Sequence, residues 1–165
     1  MTGTSEAVSA AKALEIEGRD FYVEAARRAR SPAVGKMFRA LADDESRHLE
    51  WLEALSTDGK QAGRLNRALF GRLKRVFAGV SPSELADKLR DDIAAIDFAI
   101  GIEEKSVRAY SDWVEKGDSD ELRRLGETLV GQERFHRQLL ENAKEYLERP
   151  GDWFMQEERW NFEGG

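Results

Sequence analysis

The sequence predicts an all-α protein: an antiparallel four-helix bundle made of two duplicated helix hairpins, with a long crossover between them and an aromatic C-terminal tail after them. Three observations carry this. Apolar residues recur at helical spacing through four long stretches, the pattern of helices that each bury one stripe. No stretch offers a strand candidate in the alternating, half-buried manner. A set of polar and aromatic residues in the first half returns in the second half at a constant offset, which is the mark of an internal repeat.

The first helix spans about residues 5–30, rich in Ala, Glu and Arg, with Val8, Ala11, Leu14, Phe21, Ala25 and Ala26 as its apolar stripe. Ser31-Pro32 ends it and opens the second helix, with proline at a first helical position where its missing N–H costs nothing. That helix carries Val34, Phe38, Leu41, Leu52 and Leu55 on one stripe and stops at the turn residues Ser56-Thr57-Asp58-Gly59. Between Gly59 and Ser83 stand Lys60, Arg64, Arg67, Arg72, Lys74 and Arg75 and no acid, a shift of composition that reads as a crossover. Leu65, Leu69, Leu73 and Val76 give it one apolar face. A lid over an acidic bundle is favoured over a membrane-surface or partner-docking helix because that face is short. Ser81-Pro82-Ser83-Glu84 is a capping box that opens a third helix running to Lys116, with Ile96, Ala99, Ile102, Ala109, Trp113 and Val114 facing inward. Gly117 closes it. Asp118 with Glu121 caps a fourth helix through Leu122, Leu129 and Leu140 to about Leu147, and Arg149-Pro150-Gly151 breaks it.

The expected division is therefore a bundle over 1–150 (hairpin 5–55, basic crossover 56–83, hairpin 84–147) and a tail over 151–165. Trp153, Phe154, Trp160 and Phe162 make that tail an anchor against the bundle or a second subunit, and Trp51 and Trp113 read as core packing. At 165 residues, 41% hydrophobic and 35% charged, the chain reads as one globular domain or two tightly coupled halves, too apolar for disorder and too charged for a membrane span. A net charge of −6 argues against nucleic acid as a partner. The absence of cysteine excludes disulfides, thiolate metal sites and cysteine nucleophiles. Residues 1–15 show neither the basic nor the apolar region of a secretory signal, so a cytoplasmic location is expected.

Chemistry must then come from oxygen and imidazole nitrogen, and the chain has two histidines. Each follows a glutamate by three residues: Glu45 with His48, and Glu133 with His136. Glu15, Tyr22, Glu45 and His48 recur as Glu103, Tyr110, Glu133 and His136, each 88 positions later (15 to 103, 48 to 136). All of these fall within the apolar stripes of their helices, so each hairpin aims one Glu and one Glu-x-x-His at the core. Four bare carboxylates in a core would be costly, because burial penalises each ion and like charges repel. Two divalent cations balance them and leave the imidazoles neutral, and an oxygen-rich, thiolate-free set suits iron or manganese better than tetrahedral zinc. Tyr22 and Tyr110 read either as redox-active or hydrogen-bonding groups at such a centre, or as core residues with one polar end. Gly18 and Ser106 lie one turn beyond Glu15 and Glu103, where small side chains leave room for a small oxidant or permit close helix packing.

With those residues in view, Glu15 and DFY ending at Tyr22, ADDESRH ending at His48, Glu103 and RAY ending at Tyr110, and GQERFH ending at His136, the chain resembles the ferritin-like di-iron carboxylate superfamily and, within it, the rubrerythrins. The resemblance covers both hairpins, about residues 8–55 and 95–147, and the tail is similar to endings of rubrerythrin-like chains. It implies a ferritin-like bundle in which Glu45 and Glu133 bridge two iron ions, Glu15 and Glu103 are terminal ligands, and His48 and His136 each serve one iron. It also implies a non-haem di-iron oxidoreductase that oxidises ferrous iron with hydrogen peroxide or dioxygen, in peroxide defence or iron handling, as a homodimer. An iron storage or delivery protein and a di-iron hydroxylase are the alternatives. The chain departs from the family in two ways. With no cysteine it lacks a rubredoxin module, so electrons would come from a separate rubredoxin-like protein or from ferrous iron itself. Ser106 stands where peroxidase-type rubrerythrins place a further glutamate, which leaves a set of four Glu and two His closer to that of bacterioferritin.

Overall fold

Helix α1, Gly3–Arg28, turns within three residues into α2, Pro32–Thr57; α3, Asp92–Lys116, turns equally tightly into α4, Asp120–Glu148. This computed structural model describes residues 3–57, 91–117 and 119–149, and among them there is no strand. The crossover beyond Thr57, the capping box at Ser81–Glu84, the cap assigned to Asp118 and the aromatic tail lie outside the described residues. Corners this short force each hairpin to be antiparallel, so α1 packs on α2, α3 packs on α4, and α2 meets α4 across the bundle. None of the described helices is long and apolar enough to cross a membrane.

The stripes read from the sequence are the core. Val8, Ala11, Leu14, Phe21, Ala25 and Ala26 of α1 are buried, as are Val34, Phe38, Leu41 and Leu52 of α2. Ile96, Ala99, Ile102, Ala109 and Trp113 of α3 and Leu122, Leu129 and Leu140 of α4 complete it, with Leu55 and Val114 partly buried at its edge. Each large apolar side chain withdrawn from water contributes about 1.5–3 kcal/mol, which is why 3.6-residue periodicity alone locates the interior. An aromatic cluster fills one part of it: Tyr22 stacks on Phe38 at 5.9 Å, and Phe21 meets Tyr22 edge-on at 5.4 Å.

Three local expectations are corrected. Helix α3 begins at Asp92 and not at residue 84: Asp91 is extended (φ −133°, ψ 135°) and its carboxylate accepts from the N–H groups of Ile93 and Ala94. The neighbouring Asp92 carboxylate accepts from the backbone N–H groups of Arg30 and Ser31 at 2.9 and 2.8 Å, so the start of α3 is pinned to the α1–α2 corner. Helix α4 is capped by Ser119, one residue later than expected; its hydroxyl accepts from Leu122 N in the first turn. Trp51 is not a core residue; it is 37% exposed on α2.

Candidate metal centre

Helical geometry places Glu45 and His48 one turn apart on the buried face of α2, and Glu133 and His136 likewise on α4. Glu15 on α1 and Glu103 on α3 face them from the other two helices. All six side chains are buried, with Glu45 the most exposed at 4% and both histidines at 0%. They divide into two groups whose candidate ligand atoms all lie within 4.8 Å of one another: Glu15, Glu45, His48 and Glu133, and Glu45, Glu103, Glu133 and His136. Glu45 and Glu133 belong to both groups.

Each imidazole turns Nδ1 inward. His48 Nδ1 is 3.1 Å from Glu15, 3.3 Å from Glu45 and 3.4 Å from Glu133. His136 Nδ1 is 3.4 Å from Glu133, 3.6 Å from Glu45 and 3.7 Å from Glu103. The two rings lie nearly parallel with centroids 5.5 Å apart. The tyrosines join the hairpins crosswise: Tyr22 of α1 donates to Glu103 of α3, and Tyr110 of α3 donates to Glu15 of α1. Both rings are fully buried, so each hydroxyl holds one carboxylate oxygen of the opposite hairpin. Gly18 faces the Glu45 carboxylate, with a Cβ built there 3.8 Å from its carbon, and Ser106 is buried on α3.

The electrostatics are those of a pocket that needs positive charge. Burial, together with Glu45, pushes the Glu15 carboxyl well up, and burial together with Glu133 does the same to Glu103. Burial would also raise Glu45 and Glu133, but the neighbouring carboxyls and the two imidazoles beside them hold both below the usual carboxylate range. Burial pulls the imidazoles down, and the carboxylates more than reverse it: Glu133, Glu15 and Glu45 lift His48 to about 12, and Glu103, Glu133 and Glu45 lift His136 to about 12. Burial and the same carboxylates push both tyrosine hydroxyls well up, so they remain donors. Protons held on the imidazoles by the surrounding carboxylates thus bring positive charge into the pocket, the kind of charge that divalent cations would supply.

Buried Glu103 Oε2 and His136 Nδ1 have no hydrogen-bond partner among the described residues, and both point among the other candidate ligands. Oxygen and imidazole donors at this density, with unsatisfied atoms at their centre, fit a pair of divalent cations. The structure thus brings together all eight residues singled out from the sequence. One was missed: Asp44, whose carboxylate lies 3.1 Å from His136 Nε2. It sits inside the ADDESRH motif, but with no counterpart at the repeat offset, where Gln132 stands, repeat symmetry could not flag it.

A sequence model of the rubrerythrin family matches residues 6–144. Among solved structures, a hypothetical protein from Pyrococcus furiosus aligns with a TM-score of 0.63 and 22% identity over 88% of this chain and 90% of that one, a likeness of fold. No curated protein matches the chain.

Proposed function

Because the chain belongs to the rubrerythrin family, within the ferritin-like di-iron superfamily, we propose that it is a non-haem di-iron oxidoreductase that oxidises ferrous iron with hydrogen peroxide or dioxygen. The observation that carries this reading is the pair of four-residue groups sharing Glu45 and Glu133. Glu45 and Glu133 would serve both ions, with Glu15 and His48 completing one set and Glu103 and His136 the other. Manganese or zinc could substitute, but the carboxylate-rich set favours iron. Iron, when bound, supplies the one-electron chemistry that side chains lack.

The residues of this chain supply position and a dry interior. Tyr22 and Tyr110 orient the terminal carboxylates through their hydroxyls, and that is their proposed role. The buried apolar stripes of the four helices would keep water from the centre. With no cysteine, the chain draws its electrons from a separate rubredoxin-like protein or from the ferrous substrate. A cytoplasmic homodimer engaged in peroxide defence or iron handling completes the proposal.

Metal content of four variants tests it. Glu45→Ala and Glu133→Ala should each impair both positions, whereas Glu15→Gln and Glu103→Gln should each impair one; two fully held irons in Glu45→Ala would refute the bridging assignment. Mixing the ferrous protein with peroxide and with dioxygen, followed by absorbance, then identifies the oxidant. A closed cage on gel filtration would favour iron storage instead.

A further inference from the structure

The sequence repeats, but the surroundings of the two histidines do not. His136 Nε2 lies 3.1 Å from Asp44 Oδ2, and the other Asp44 oxygen is engaged by Arg47. At the repeat offset these two residues become Gln132 and Phe135, the latter 62% exposed. His48 Nε2 is buried and has no hydrogen-bond partner among the described residues. Its ring is covered by Trp51, tilted at 30° with centroids 5.3 Å apart and itself 37% exposed, and Trp51 becomes Leu139 at the repeat offset.

This difference acts directly on metal binding. A carboxylate on the far nitrogen of a ligating imidazole keeps the proton there, leaves the near nitrogen's lone pair free, and fixes the ring's orientation. His136 has such a partner, and Arg47 in turn holds that partner in place. Among the described residues His48 Nε2 has none, and its ring lies against the partly exposed Trp51. On the di-metal reading above, we propose that Glu45, Glu103, Glu133 and His136 form the tighter cation position, filled first, and that Glu15, Glu45, His48 and Glu133 form the weaker, exchangeable one. Asp44 is the positioning residue that sets the difference. A carboxylate partner of this kind is worth about 10–100-fold in metal affinity, which is the expected gap between the two steps.

The test is a Co(II) titration of the metal-free full chain in competition with a fluorescent chelator, with the cobalt d–d absorption recorded at each step. Wild type should show two steps, the first spectrum surviving in Glu15→Gln and lost or strongly altered in Glu103→Gln. Asp44→Asn and Asp44→Ser, both checked for unchanged helix content by circular dichroism, should weaken the first step about 10–100-fold and change its spectrum, leaving the second step nearly unmoved. Two equal steps in wild type, a first spectrum that tracks Glu15, or Asp44 variants that shift both steps equally or neither would overturn the inference while leaving the di-metal centre standing. No cobalt binding in wild type would overturn the centre itself.

Discussion

Tyr22→Phe removes one hydroxyl and leaves the ring in place, stacked on Phe38 at 5.9 Å and edge-on to Phe21 at 5.4 Å. Packing is therefore preserved, and the loss falls on Glu103. Its Oε1 accepts from Tyr22 and its Oε2 has no hydrogen-bond partner among the described residues, so the variant strips this buried carboxyl of its tyrosine donor and leaves His136 Nδ1 at 3.7 Å, beyond hydrogen-bond distance. Leaving a buried acceptor unsatisfied costs about 1–3 kcal/mol. The mirror substitution is not equivalent. In Tyr110→Phe, Glu15 loses the Tyr110 hydroxyl but keeps its contact with His48 Nδ1 at 3.1 Å, so the loss should stay near the net value of one hydrogen bond, about 0.5–1.5 kcal/mol. Urea unfolding of the metal-free protein reads both. With a slope of about 1–3 kcal/mol per molar, a 2 kcal/mol loss lowers the midpoint by roughly 1 M. Tyr22→Phe should fall further than Tyr110→Phe, and metal loading should narrow the difference by giving Glu103 a new partner. A Tyr22→Phe midpoint unchanged from wild type, or a larger drop for Tyr110→Phe, would refute the reasoning.

Metal loading should expel protons, from His48 and His136 above all, because the carboxylates around these imidazoles hold them protonated in the metal-free pocket and they must lose those protons to become ligands. Affinity should accordingly strengthen as pH rises through neutrality, and calorimetry in buffers of different ionisation enthalpy counts the protons; heats independent of buffer would contradict the pocket's charge state. Two glycines should respond oppositely to alanine. At Gly126 a Cβ would sit 3.1 Å from Trp113 Cβ and 3.2 Å from the Tyr110 carbonyl oxygen, so overpacking of about 1–3 kcal/mol outweighs a helix-propensity gain of about 1 kcal/mol, and thermal unfolding should show a net loss. At Gly18 the nearest atom is 3.8 Å away, so the propensity gain should survive as about 0.5–1 kcal/mol of added stability; a destabilised Gly18→Ala would show that the pocket is tighter there than its geometry indicates. Asp92→Ala should cost about 1–2 kcal/mol by freeing the N–H groups of Arg30 and Ser31, and hydrogen exchange at those two amides should accelerate.

The amino-acid order alone determined the helical class, the four stripes and the identity of the eight inward-facing polar residues. Each is a consequence of 3.6-residue spacing within a single helix, reinforced by an internal duplication that made Glu15, Glu45 and His48 check against Glu103, Glu133 and His136. Helix ends were less legible. The start of α3 is capped locally by Asp91, but its docking depends on the Asp92 carboxylate reaching backbone N–H groups 61 and 62 residues away, which no local propensity encodes. Only the assembled bundle decided that each tyrosine serves the opposite hairpin, and that Asp44 of α2 backs His136 of α4 while His48 Nε2 has no such partner among the described residues. The physical reason is that periodicity specifies the direction of a side chain about its own axis, whereas meeting a residue on another helix requires the relative rotation and height of both, and those are set by packing across the whole core.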